Sequence, residues 1–221
     1  MDYGEAVRIP LWIDLAAVAV GALQGASVAT AKDERNEYDF LAGITFALVV
    51  GLGGGILRDV LLNLVPAALQ NDWYVITAAV AGVVGMALGN LIGRVQLLVD
   101  ILDSAALALF VLVGVLKAND AGLGPAAAVL LGTITGVGGG VIRDLMAARP
   151  VQVLQRTVPY AIVAIVGASV FELLTRVGLA VVASAAAAFV VMMALRIVAI
   201  LTGWRTPPPP VVGRRGGPPI R

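Results

Sequence analysis

Seven apolar stretches, most of them near the twenty residues that carry a helix across a bilayer core, divide this chain of 221 residues. The charges are bunched between them and make up only 13% of the residues, about half the share found in a soluble domain. A soluble core cannot hold that much apolar surface away from water. The chain is therefore predicted to be an all-α integral membrane protein.

The predicted helices run from Ile9 to Ala31, Phe40 to Leu64, Trp73 to Ile92, Gln96 to Ala118, Pro125 to Ala148, Val158 to Val177 and Leu179 to Leu201. Pro10 suits a first helical turn, where a missing N–H costs least, and Trp73 and Tyr74 suit a membrane interface. A charged loop spans Lys32 to Asp39, Pro66 ends the second helix, and Asn119 to Gly124 forms a turn. The tail, Thr206 to Arg221, is rich in Pro, Gly and Arg and is predicted to be disordered.

The most specific signal is a duplication. Gly51-Leu52-Gly53-Gly54-Gly55-Ile56-Leu57-Arg58-Asp59 recurs 85 residues later as Gly136-Val137-Gly138-Gly139-Gly140-Val141-Ile142-Arg143-Asp144. The glycines and the Arg-Asp pair are identical, and the other positions exchange one aliphatic residue for another. Gly82 and Gly167 keep the same spacing, Tyr74 and Tyr160 miss it by one, and Asp14 and Gly25 match Asp103 and Gly114 at a spacing of 89. Each copy holds three helices, and an odd number of crossings returns the second copy upside down. The expected organisation is a first repeat over 1–93, an inverted second repeat over 94–178, a seventh helix over 179–203 and a tail over 204–221.

Loop charge sets the orientation. With the N-terminus outside, the inner segments hold Lys32, Arg35, Arg94, Arg149, Arg156, Arg205, Arg214, Arg215 and Arg221, against Arg8, Lys117 and Arg176 outside. That excess favours an outer N-terminus and a cytoplasmic C-terminus, in a multi-pass protein of the cell's inner membrane.

Glycine triplets inside apolar helices are costly in helix propensity and permit a kink or a short unwound stretch. Such a break near the bilayer centre, occurring twice in inverted halves, points to a translocation site. The competing use of small residues is close helix packing. The candidate backbone elements are Gly51, Gly53, Gly54, Gly55, Gly136, Gly138, Gly139 and Gly140. Arg58, Asp59, Arg143 and Asp144 are ionisable groups within helices and need partners or water. Helix neighbours point about 100° apart, so pairing across the repeats, Arg58 with Asp144 and Arg143 with Asp59, is one expectation; capping of the two helix ends is the other. Asp14 and Asp103 each begin an apolar helix, where a carboxylate also suits the positive helix end. Asp100 lies one turn before Asp103, Glu172 is expected at an interface, and Arg196 is expected to snorkel to the inner surface. Thr45, Thr133, Thr135 and Ser104 are the candidate polar lining.

The absence of histidine and cysteine removes the usual general base, thiolate nucleophile and zinc ligands. No catalytic residue, resident metal or cofactor is assigned. A net charge of +1 leaves no electrostatic footprint for nucleic acid. The glycine clusters lack both the preceding strand and the following Gly-Lys-Ser/Thr of a nucleotide loop.

The doubled Gly-Gly-Gly-x-x-Arg-Asp, on the second and fifth of seven helices, resembles the prokaryotic TRIC channels, relatives of the trimeric intracellular cation channels. The resemblance spans residues 10 to 201. It implies a 3+3+1 helix arrangement, a homotrimer in the lipid bilayer with one pore per protomer, and helices 2 and 5 kinked at Gly53 to Gly55 and Gly138 to Gly140. The implied activity is passive conduction of monovalent cations, mainly K⁺ with some Na⁺. Val50 stands where related sequences often carry a hydroxyl, and no lysine occupies these helices, so the phosphoinositide of the animal channels is not implied. Sequences with the same doubled motif are also described as glycine transporters. A secondary carrier for a small solute is thus the alternative to a channel, and a non-transporting scaffold is the third class.

Overall fold

The computed structural model describes residues 10–30, 38–92, 96–155 and 159–205. The helix ends predicted at Ile9, Ala31 and Val158, the junction at Gly93 and Arg94, and the tail from Thr206 to Arg221 lie outside the described residues. So do Arg8, Lys32, Arg35, Arg156, Arg214, Arg215 and Arg221.

The chain forms α1 (Leu11–Thr30), α2 (Phe40–Leu61), the short α3 (Ala67–Gln70), α4 (Trp73–Ile92), α5 (Gln96–Asp120), α6 (Pro125–Met146), a 3-10 turn (Gln152–Leu154), α7 (Ala161–Arg176) and α8 (Val181–Thr202). Among the described residues, five helices are long and apolar enough to cross a membrane: α1, α2, α6, α8 and the Asp100–Asp120 part of α5. α4 is a shorter apolar helix over Trp73–Gly89. The bundle's outer surface is apolar, with Trp12, Phe40, Leu130, Val182 and Leu201 all more than half exposed, as lipid-facing positions require. Its interior is built from small residues, Ala17, Ala22, Ala47, Ala108, Ala128, Ala164 and Ala188 among them. Small residues let helices approach closely where lipid supplies no hydrophobic drive.

α1 packs between α2 and α4, α5 packs against α6 and α7, and α8 covers α5 and α7. The two groups meet through α2 on α6 and α1 on α5. The repeat is visible in the turns as well as in the helices. α2 and α6 both end on a non-glycine residue in the left-handed region, Asn63 at φ 56° and Ala148 at φ 50°. In each turn the next amide bonds back across the helix end, Leu64 N to Asp59 O and Arg149 N to Asp144 O, both at 2.9 Å. This Schellman-type closure ends both helices earlier than hydropathy suggests, because Leu62, Leu64, Ala147 and Ala148 are apolar but no longer helical. The short α3 and the 3-10 turn, which apolar periodicity does not reveal, follow at equivalent places.

The predicted interruption at the glycines is corrected: α2 and α6 run as continuous helices through Gly51–Gly55 and Gly136–Gly140. The glycines instead admit a neighbouring backbone. A Cβ on Gly139 would stand 2.6 Å from the Val50 carbonyl oxygen, and one on Gly54 would collide with the Thr135 carbonyl oxygen. A Cβ on Gly53 would meet Ile142 at 3.0 Å, and one on Gly138 would meet Leu57 at 3.6 Å. Residues rising along α2 face residues falling along α6, so the two helices cross antiparallel, backbone to backbone, with repeat-related contacts. Gly51 and Gly136 serve the same end toward α1 and α5, where a Cβ would meet the Val18 and Leu107 carbonyls.

This contact map separates the glycines by substitution. Gly54→Ala and Gly139→Ala should lower stability by about 1–3 kcal/mol through overpacking. At Gly55 and Gly140 a Cβ would find its nearest neighbour at 3.7 Å, so alanine there should be neutral or stabilising by up to ~1 kcal/mol, the gain in helix propensity. Thermal denaturation midpoints of the four variants in detergent check the ordering.

Candidate functional site

Each glycine helix ends in an Arg-Asp pair, and both pairs are buried. Arg58 and Asp59 are each 1% exposed, Arg143 and Asp144 8% and 7%. The cross-repeat pairing is corrected. Arg58 Nε donates to Asp59 Oδ1 at 2.8 Å, and Arg143 Nε donates to Asp144 Oδ1 at 2.9 Å. The 100° between helix neighbours is bridged by the length of the arginine stem, and the turn after each helix holds the carboxylate in place. Asp59 Oδ2 accepts the Ala67 amide at 2.9 Å, and Asp144 Oδ2 accepts the Gln152 amide at 2.9 Å. The aspartates thus tie the end of each glycine helix to the short helical segment that follows.

Asp14, in the first turn of α1, and Asp103, well inside α5 rather than at its start, sit near these pairs. Tyr74, at the start of α4, donates its hydroxyl to Asp14 Oδ2 at 2.6 Å. Tyr160, just before α7, donates to Asp103 Oδ1 at 3.3 Å. The paired tyrosines of the sequence repeat are therefore the partners of its paired aspartates. Two recesses result. The first, with room for about one water, has Asp14, Arg58, Asp59 and Tyr74 among its lining, together with apolar Val18, Leu52, Ile56 and Phe110. The second, too tight to hold a water, has Gly140, Arg143, Asp144, Gln152, Val153 and Tyr160 among its lining. They lie at the C-terminal ends of two helices that cross antiparallel, hence on opposite sides of the crossing.

The recesses share a framework and differ in their cations. Asp103 also accepts Gln24 Nε2 at 2.9 Å and Arg196 Nη2 at 3.2 Å, and Arg143 Nη1 lies 3.5 Å away. Arg196 donates its Nε to Ser104 Oγ at 3.1 Å and stacks over the Tyr160 ring at 5.0 Å. Its expected snorkelling is corrected: the side chain is 5% exposed, because a carboxylate, a hydroxyl and an aromatic face meet it inside the protein. In the first recess the extra cation is Lys117 from α5, and it binds Asp59 at 3.0 Å. Glu172, expected at an interface, is buried and accepts Asn119 Nδ2 at 2.7 Å and Arg176 Nε at 2.5 Å.

The hydroxyl candidates are placed apart from these clusters, Ser104 excepted. Thr45, Thr133 and Thr135 donate to the carbonyls of Leu41, Val129 and Leu131, four residues back on their own helices. Thr135 is fully buried, and its Oγ1 closes on Gly114 of α5. Among the described residues no group of three or more Asp, Glu, His or Cys is arranged to hold a metal.

The model of a family described as glycine transporter matches residues 11–90 and 100–176. The chain belongs to this family. A UPF0126 membrane protein of Deinococcus radiodurans is 36% identical over 165 residues, 74% of this chain and 75% of its own. The TRIC trimeric intracellular cation channel orthologue from Rhodobacter sphaeroides superposes with a TM-score of 0.80 at 26% identity, covering 87% of this chain and 97% of its own. A chain from work on the structural basis for conductance through TRIC cation channels gives 0.77 at 25%, over 90% and 98%. This member of the family thus has an all-α, multi-span membrane fold that closely follows the TRIC architecture.

Sequence reasoning missed two members of the site. Gln24 and Lys117 have valines at the repeat-related positions, Val113 and Val28, so the duplication carries no signal for them. Both reach an aspartate of the opposite repeat. Arg196→Met should destabilise the protein by about 3 kcal/mol, since it strips one charge from a buried pair. Asp103→Asn combined with Arg196→Met should cost less than the sum of the single changes, a difference that a double-mutant cycle of denaturation midpoints reads directly.

Proposed function

We propose that the protein is a homotrimeric channel conducting monovalent cations passively, K⁺ chiefly and Na⁺ to a lesser degree, along a path within each protomer. The path joins the recess at Asp14, Arg58 and Asp59 to the recess at Asp103, Arg143 and Asp144. The α2–α6 crossing is its constriction, with Gly53 to Gly55 and Gly138 to Gly140 giving backbone close to the path. In this reading the chain spans the inner membrane seven times, as two inverted three-helix repeats plus α8, with the N-terminus outside and the C-terminus cytoplasmic. Residues 1–93, 94–178, 179–203 and 204–221 are the corresponding units.

The observation that carries the reading is the placement of two repeat-related ionisable recesses on either side of a glycine crossing, in a fold shared with a TRIC cation channel orthologue. Buried charges are expensive within a membrane and commonly mark an ion or substrate path. Helices with a thin, side-chain-free crossing can part by a small rotation without moving bulky groups, and carbonyls and carboxylates there would replace part of an ion's hydration shell. The description of the family model supports a second reading, carriage of glycine or a similar small solute by alternating access.

Recording from the full chain in planar bilayers separates the two. The channel predicts unitary K⁺ currents, smaller Na⁺ currents and negligible Cl⁻ permeation, with Gly54→Leu or Gly139→Leu abolishing the current in protein that still reaches the membrane as a trimer. Saturable glycine counterflow without unitary currents would establish the carrier instead, and chloride passing in preference to potassium would rule out the choice of ion.

A further inference from the structure

The two halves share a framework, but their helix aspartates end in different surroundings. Asp14 lines the first recess. Asp103, its repeat counterpart, is not among the described residues that line the second, because other groups close over both of its oxygens. Oδ1 accepts Gln24 Nε2 at 2.9 Å and the Tyr160 hydroxyl at 3.3 Å, and Oδ2 accepts Arg196 Nη2 at 3.2 Å. The guanidinium also reaches Ser104 Oγ and lies over the Tyr160 ring. A carboxylate, a hydroxyl and an aromatic face are the parts from which a site for an organic cation is made. Here the protein fills that site with a cation of its own.

Arg196 comes from outside the duplication. α8 has no counterpart in the first repeat, and the added cation of that half, Lys117, binds the turn aspartate Asp59. The hold on Arg196 is also looser than that on the repeat arginines. A charge-assisted N–H···O contact closes to about 2.7–2.9 Å. Arg58 and Arg143 meet that with their neighbouring aspartates, at 2.8 and 2.9 Å. Arg196 stands at 3.2 Å from Asp103 and 3.1 Å from Ser104. Among the described residues, α8 is the least buried of the five long spans. It can shift against α5 and α7 with less loss of packing than the helices of the glycine crossing.

We propose that Arg196 is a tethered blocker. Its guanidinium occupies a cation site at Asp103 and closes that end of the path, and a permeating cation passes when α8 carries the guanidinium off the carboxylate. This rests on the channel reading given above and adds to it the group that keeps one end shut. The blocked site is closed twice over. The guanidinium fills the space, and its positive charge opposes the approach of a second cation in surroundings that screen it poorly. Arg143 cannot serve in its place, since the turn that holds Asp144 also holds Arg143 Nε.

Planar-bilayer recording of the full chain, wild type against Arg196→Ala, tests it. The open probability for K⁺ should rise by about tenfold or more in the variant, the scale of one charge-assisted hydrogen bond. Millimolar guanidinium in the bath should return the variant toward the wild-type level and leave the wild type unchanged, because the free ion refills a site that the tether already fills. Tetramethylammonium, which has no N–H to give to Asp103 and Ser104, should not. A purely structural role for Arg196 predicts no such rescue. Ser104→Ala removes one contact of the guanidinium and keeps every charge. It should raise the open probability in the same direction, and it carries the test if Arg196→Ala does not fold. Open probability that is the same in the wild type and the variants overturns the blocker alone, as does guanidinium acting equally on the wild type and Arg196→Ala. No unitary current from any form overturns the channel reading and the blocker with it.

Discussion

Two helices reach backbone contact only where neither carries a side chain at the point of approach, and α2 and α6 meet that condition twice. Gly54 lies under the Thr135 carbonyl and Gly139 under the Val50 carbonyl, so each helix supplies both the glycine and the carbonyl that fills its place. The contact sets the distance between the two halves. The terminal Arg-Asp pairs then fall at opposite ends of the crossing, and α1 and α5 pack in at Gly51 and Gly136. In lipid, where apolar burial adds little to helix association, such close packing carries much of the attraction. Continuous helices also keep every backbone hydrogen bond made where water is absent.

The charges follow from that frame. Each glycine helix ends in the same left-handed turn, and each turn presents an amide to the aspartate that precedes it. Held by that amide, the aspartate is in place for its neighbouring arginine, and the pair is buried without needing the other repeat. Two acids and two bases then gather at each end: Asp14, Asp59, Arg58 and Lys117 at one, Asp103, Asp144, Arg143 and Arg196 at the other. The balance is equal but the wiring is not. The added cation neutralises the turn aspartate in one half and the helix aspartate in the other, which leaves Asp14 and Arg58 with open partnerships while Asp103 is enclosed.

Much of this was legible along the chain. The spans α2, α4, α5 and α6 begin at the residues that hydropathy marks, since those starts follow a glycine, as at Pro125, or charged residues, as at Phe40, Trp73 and Gln96. The duplicated motif located both glycine clusters and both Arg-Asp pairs, and the looser spacing of Asp14 with Asp103 and of Tyr74 with Tyr160 held the framework of the recesses. Less legible were the ends. Leu62, Leu64, Ala147 and Ala148 are as apolar as the helices before them, and a turn closed by backbone hydrogen bonds leaves no mark in hydropathy.

The sequence alone determined which segments are apolar enough to span a bilayer, that the chain is a duplication, and which polar residues must find partners inside it, because these depend on local composition and on spacing. Only the tertiary structure decided who those partners are. The reach of an arginine around its own helix, the arrival of Gln24 and Lys117 from the opposite repeat, and the turning of Arg196 inward from α8 depend on distances between helices. Side-chain geometry at a helix crossing sets those distances, and no periodicity along a single strand of sequence encodes them.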